Sequence, residues 1–136
     1  MASGTASRTA FAVAAGFVTT AVLSTATDAL MHAVRIFPPE GERMSDMLFV
    51  VATLYRVLFT VLGGYVTAAL APGRALIPVI VLGAIGELAA MAGTIATWNA
   101  GPEFGPHWYP IALIVTAMPC VLAGLVLRRG WPLQQA

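Results

Sequence analysis

Residues 47–98 read MLFVVATLYRVLFTVLGGYVTAALA-PGR-ALIPVIVLGAIGELAAMAGTIATW. Two apolar runs, Met47–Ala71 and Ala75–Trp98, are parted only by Pro72–Gly73–Arg74. Each holds one formally charged residue, Arg56 in the first and Glu87 in the second. At a rise of about 1.5 Å per residue, either run crosses roughly 30 Å of hydrocarbon with some tilt. Backbone N–H and C=O groups find no water there, so both runs must be helical. The Pro-Gly break predicts a tight turn and an antiparallel hairpin.

Working outward, Phe11–Val34 and Trp108–Leu127 are further runs of the same kind. The expected fold is all-α: one integral membrane domain over 1–136, an antiparallel four-helix bundle with spans at about 11–34, 47–71, 75–98 and 108–127. Composition agrees, with 59% hydrophobic and 10% charged residues and a mean hydropathy of +0.85. A soluble domain carries roughly 25% charged residues. The basic residues are seven arginines that form no phosphate-binding cluster, which argues against nucleic-acid recognition. Cys120 is the single cysteine, so no intrachain disulfide or C-x-x-C pair exists.

Orientation follows from the arginines. Arg8, Arg74, Arg128 and Arg129 fall on one side of a four-span arrangement with no acidic neighbour, whereas Arg35 and Arg43 face Glu40, Glu42, Asp46 and Glu103 on the other. The positive-inside rule puts both termini and the Pro72–Gly73 turn in the cytoplasm. Trp98, Trp108 and Tyr109 then belong to the outer boundary and Trp131 to the inner one. Ser45 and Asp46 are N-cap candidates for the second helix. A second reading takes residues 1–27 as a cleaved signal peptide, but the lead has one basic residue and no A-x-A cleavage site follows the apolar stretch Phe11–Thr25.

Ionisable residues at membrane depth are costly and normally face a bundle interior. Thr20, Ser24, Thr27, Asp28, His32 and Arg35 share one face of the first helix. Thr53, Arg56, Thr60, Gly63, Gly64 and Thr67 share one of the second, and Gly83, Glu87, Ala90, Thr94 and Thr97 one of the third. These stripes predict that the first three helices pack on one another. By the helix rise, Asp28 lies about 9 Å, Arg56 about 14 Å and Glu87 about 17 Å from the outer end of its run. An Arg56–Glu87 pair with Asp28 as second acceptor is expected. His32, one turn after Asp28, is placed to bond it. The candidate ligand- or proton-binding residues are Asp28, His32, Tyr55, Arg56 and Glu87. No catalytic motif, metalloprotease signature or P-loop occurs. Gly83, Gly86, Ala90 and Gly93 read as a close-packing stripe, and Pro119 predicts a kink in the fourth helix.

Ala96-Thr-Trp-Asn99, Gly101-Pro102 and Gly105-Pro-His-Trp-Tyr-Pro110, with Tyr55-Arg56 and Gly63-Gly64-Tyr65, resemble a signature of small bacterial four-span inner-membrane proteins with no assigned activity. The resemblance covers the last two thirds of the chain and implies a bacterial inner-membrane setting. Small multidrug exporters, in contrast, carry their essential Glu in the first helix. Here that helix has Asp28, and the Glu is in the third. The glycine-rich helix and Asn/Phe pattern of fluoride channels are not found.

Three functional readings follow. The first is a non-enzymatic accessory or interaction subunit whose Asp28/Arg56/Glu87 network is structural. The second is a small oligomeric proton-coupled transporter or channel binding a solute near those residues. The third is an outer-face haem or metal protein using His32 and His107, the only reading that involves a cofactor or metal. Expected partners are the lipid bilayer and a second copy or another membrane protein, with no nucleic acid. The expected location is the bacterial inner membrane, multi-pass, with both termini cytoplasmic.

Overall fold

The computed structural model describes residues 2–130. Four helices make up the fold: α1 (Ala2–Ala33), α2 (Asp46–Leu70), α3 (Leu76–Thr97) and α4 (Trp108–Arg129). A single 3-10 turn, Pro102–Phe104, precedes α4. All four helices are long and apolar enough to cross a membrane, and no strand occurs among the described residues. Trp131, expected at the inner boundary, lies outside the described residues.

Helices α2 to α4 begin and end within two residues or so of the apolar runs. Helix α1 departs from expectation, starting at Ala2 rather than near Phe11. Its lead contains three alanines, the strongest helix former, and no proline, so nothing stops the helix from extending backwards. At 32 residues it is about 48 Å long, well beyond the ~30 Å of hydrocarbon.

At its other end α1 stops at Ala33, and the chain reverses at Arg35, which adopts φ 61°. Backbone N–H groups of Ile36 and Phe37 both donate to the Met31 carbonyl at 3.0 Å. The reversal folds Phe37 back to a buried position against the His32 ring, with centroids 5.4 Å apart. Ser45 is the N-cap residue of α2, but its side chain makes no capping bond; its carbonyl accepts from Leu48 and Phe49 instead.

Packing is organised by glycine pairs. Gly63 of α2 faces Gly16 of α1: a Cβ on Gly63 would stand 2.8 Å from the Gly16 carbonyl oxygen. Thr67 Oγ1 donates to the Ala12 carbonyl at 3.0 Å and Thr20 Oγ1 to the Phe59 carbonyl at 3.1 Å. These hydroxyls stitch α1 to α2 on either side of the glycine contact. The next residue, Gly64, faces α4, where a Cβ would stand 2.6 Å from Val121 Cα. Gly124 reciprocates, its Cβ position being 2.8 Å from the Gly64 carbonyl carbon. Adjacent residues on a helix point about 100° apart, so Gly63-Gly64 admits two neighbours on two flanks.

Helix α2 therefore packs mainly on α4 and α1, α3 packs mainly on α4, and α2 and α3 touch sparsely. The close α2–α3 hairpin expected from the Pro72–Gly73 turn is not formed, because α4 occupies that flank of α2. The main core, Val13, Ala68, Val79, Leu82, Val121 and Leu125, draws on all four helices at the end near that turn. Helix α4 runs without interruption through Pro119. The remaining surface is apolar, with Leu58, Leu88, Ile95 and Val115 each more than half exposed.

Candidate functional site

Half-way along the bundle, two consecutive residues of α2 converge on one carboxylate of α1. Tyr55 Oη donates to Asp28 Oδ1, and Arg56 Nη2 donates to Asp28 Oδ2 as an ion pair. The i, i+1 spacing fits this fork, because both long side chains lean back toward the start of α2 from neighbouring flanks and meet one group standing between them. The α1–α2 register set by Gly16–Gly63, Thr20–Phe59 and Ala12–Thr67 places Asp28 about one turn nearer the start of α2 than Tyr55 and Arg56. The Arg56 side chain retains 29% and the Asp28 side chain 31% of its exposure. Arg56 Nε is buried with no hydrogen-bond partner, so Asp28 engages the guanidinium through one nitrogen only. A carboxylate that released Tyr55 would be free to take both Nε and Nη2, the stronger fork arrangement.

Tyr109 of α4 stands within electrostatic reach of Arg56 and Asp28 and packs on Phe49, with ring centroids 5.0 Å apart. Residue-type reasoning assigned it to the outer boundary and missed its proximity to the cluster. The signal was the α2–α4 contact itself, which places the beginnings of the two helices together.

Next to the cluster lies a cavity of about 320 Å³ bounded by all four helices. Arg56 and the hydroxyl-bearing Thr20, Ser24, Thr25, Thr60 and Thr116 form its polar wall; Gly86 and Ala90 form part of its small-residue wall. Thr60 and Thr116 return their hydroxyls to carbonyls one turn back, each at 2.7 Å, leaving oxygen lone pairs for a guest. Of the five sequence candidates, Arg56 alone lines this cavity.

The expected Arg56–Glu87 pair is not present. Arg56 takes Asp28, the one ion pair among the described residues, and Glu87 has no cationic partner there. The reason is topological: Glu87 belongs to α3, which is applied to α4 and contacts α2 only sparsely. The expected Asp28–His32 bond is not formed either. His32 Nδ1 donates to the Pro38 carbonyl at 2.8 Å, drawn there by the chain reversal at Arg35. His107 stacks flat on Trp98 at 3.8 Å, and its Nε2 donates to the Trp98 carbonyl at 3.0 Å. One ring nitrogen of each histidine is thereby committed to backbone. No group of three metal-ligating side chains occurs among the described residues.

Of the sequence candidates, Asp28, Tyr55 and Arg56 thus come together, while His32 and Glu87 stand apart. Comparison with protein-family models, curated proteins and solved structures finds no match to this chain.

Proposed function

We propose that this chain is a multi-pass protein of the bacterial inner membrane whose helix bundle holds a small polar solute in the cavity beside Arg56. The helices alternate in direction, with both termini and the Pro72–Gly73 turn on the arginine-rich, cytoplasmic side. Contacts support the alternation. Pairings between α1 and α2 run from Ala12–Thr67 to Asp28–Arg56, so numbers rise on one helix as they fall on the other. Between α2 and α4, numbers rise together from Phe49–Tyr109 to Gly64–Val121.

The cavity carries the reading. A bundle built only for scaffolding would close over its ion pair, whereas here Arg56 and five hydroxyl-bearing residues border about 320 Å³ of space. That volume is at the lower end of the ~300–1,000 Å³ of small-molecule sites. Asp28 already neutralises Arg56, so the wall presents donors and acceptors with no net charge. This favours a small neutral or zwitterionic solute, held as a transporter, channel or receptor subunit would hold it.

The test uses sodium acetate, glycine and glycerol as anionic, zwitterionic and neutral probes, read by the unfolding midpoint of the purified protein. Gly86 borders the cavity, and a Cβ there would meet only the Ala117 methyl at 3.9 Å, so Gly86→Leu fills the space from its wall. Glycine or glycerol should raise the wild-type midpoint, by about 2.7 kcal/mol of stabilisation at 100-fold excess over Kd. The same probe should leave the Gly86→Leu midpoint unmoved. No shift with any probe, or an equal shift in both proteins, would contradict the assignment.

An accessory role has its own support. Helix α3 beyond Gly83 contributes no buried residue, and a Cβ on Gly93 would meet nothing within 4 Å. That bare half-helix suits contact with another membrane helix.

A further inference from the structure

Hydrogen-bonding protons are distributed unevenly around the cavity beside Arg56. Three α1–α2 contacts, Ala12–Thr67, Gly16–Gly63 and Thr20–Phe59, follow one another at intervals of one helical turn. The next interval sets Ser24 opposite Tyr55 and beside Arg56, while Thr20 lies beside Thr60. On α4, Thr116 precedes Val121 by five residues, as Phe59 precedes the Gly64 that meets Val121, and so stands with Thr60. The polar wall therefore has two levels, about 6 Å apart along the bundle.

We infer that the cavity takes a primary carboxamide with a short apolar tail, its carbonyl oxygen at Arg56 and Ser24 and its N–H groups at Thr60 and Thr116. The inference rests on the solute-binding reading above and names the chemical class of that solute.

The level of Arg56 and Ser24 offers protons. Arg56 gives Nη2 to Asp28 and has Nε buried, which leaves Nη1 for a guest. Ser24 is 5% exposed, borders the cavity and makes no hydrogen bond among the described residues. A buried hydroxyl without a partner is costly, and a guest oxygen here would take its proton. The level of Thr60 and Thr116 offers lone pairs only. Those two hydroxyls donate to the Arg56 and Ala112 carbonyls, each at 2.7 Å. Thr20 shares its proton between the Gly16 and Phe59 carbonyls, at 3.2 and 3.1 Å. A matching guest accepts at one level and donates more than once at the other.

A carboxamide does both in one planar group, with two lone pairs on its oxygen and two protons on its nitrogen. A carboxylate has no proton for the threonines, and an ammonium has no lone pair for Arg56 and Ser24. A zwitterion has both, but its ammonium would lose water without meeting a free carboxylate, because Asp28 is engaged by Arg56 and Tyr55. Each hydroxyl of a polyol brings a single proton. Much of the remaining lining is apolar, with Phe17, Val57, Leu82 and Leu113, which suits a short aliphatic tail.

The experiment compares butyramide, sodium butyrate and butylammonium chloride, which carry similar tails on different head groups, with glycine and glycerol alongside. The unfolding midpoint of the purified full chain is read against Gly86→Leu in the same additive, so general solvent effects cancel. Butyramide should raise the wild-type midpoint above that reference, and further than any other probe at equal concentration. Its affinity follows from the concentration dependence of the shift. Ser24→Ala and Thr60→Val should each weaken butyramide about five-fold, the worth of one ordinary hydrogen bond. Thr94→Val should leave the affinity unchanged, since Thr94 bonds the Ala90 carbonyl in the same manner but does not border the cavity. Circular dichroism confirms that each variant is folded, and Thr116→Val replaces Thr60→Val should that one not fold. A shift with butyrate, butylammonium, glycine or glycerol as large as that with butyramide would overturn the inference while leaving the cavity a solute site. So would an unchanged butyramide affinity in Ser24→Ala or in the threonine variant, or an equal loss in Thr94→Val. No shift with any probe would overturn the solute-binding reading as well.

Discussion

Gly64→Ala is expected to unfold or grossly destabilise the protein, by about 3 kcal/mol or more, an overpacking effect at the upper end of the usual range. The added Cβ would stand 2.6 Å from Val121 Cα and 2.9 Å from its carbonyl carbon, and backbone atoms cannot rotate aside. Helices α2 and α4 would have to separate, and α4 is also the main support of α3. Gly86→Ala and Gly93→Ala are the matched controls. Their Cβ atoms meet one methyl at 3.9 Å and nothing within 4 Å, respectively. Both should be neutral or gain up to about 1 kcal/mol from helix propensity. Denaturant titration of the three proteins in detergent micelles reads the contrast directly.

The second large effect concerns the ion pair. Asp28→Leu and Arg56→Leu each strand the partner's charge between helices. Breaking a fully buried pair costs about 3–5 kcal/mol. With 29% and 31% of the side chains still exposed, about 1–3 kcal/mol is expected here. The double variant should lose no more than the worse single, because neither charge is then left alone. Glu87→Gln should cost under about 0.5 kcal/mol, since that carboxylate has no cationic partner among the described residues. A Glu87→Gln loss as large as that of Asp28→Leu would place the pairing where side-chain depth alone had suggested it.

These contrasts show what was legible beforehand. Four helical spans followed from hydropathy and run length, because the bilayer leaves the backbone no alternative. The inward faces of α1 and α2 were also legible, since Thr20, Gly63, Arg56 and Thr67 are polar or small residues in otherwise apolar runs. Helix order was not. Polarity drew attention to Glu87 and away from α4, whose contact with α2 depends on Gly64, Val121 and Gly124. Backbone approach at glycine carries no charge or periodicity to reveal it. Helix spacing says how far along α2 Arg56 lies, but whether it turns to α1 or α3 depends on which neighbour touches α2. The N-terminal extension of α1 was missed for a related reason. Its Ser/Thr/Ala lead is not apolar, so hydropathy ends where the helix does not. His32 was assigned to Asp28 on helical spacing, which fails once Arg35 turns the chain and brings the Pro38 carbonyl within reach.

The central claim, a water-accessible cavity beside Arg56 between the helices of a lipid-facing bundle, is tested most directly by the reactivity of two single cysteines introduced in a Cys120→Ala background. Ala90→Cys borders the cavity. Leu88→Cys lies two residues away on the outer face, where the leucine is 65% exposed. Only the thiolate reacts, and a thiol needs water to ionise. In reconstituted vesicles, a small hydrophilic methanethiosulfonate reagent should label Ala90→Cys readily and leave Leu88→Cys unmodified. Labelling of Leu88→Cys with Ala90→Cys inert, or equal behaviour of the two, would contradict the account.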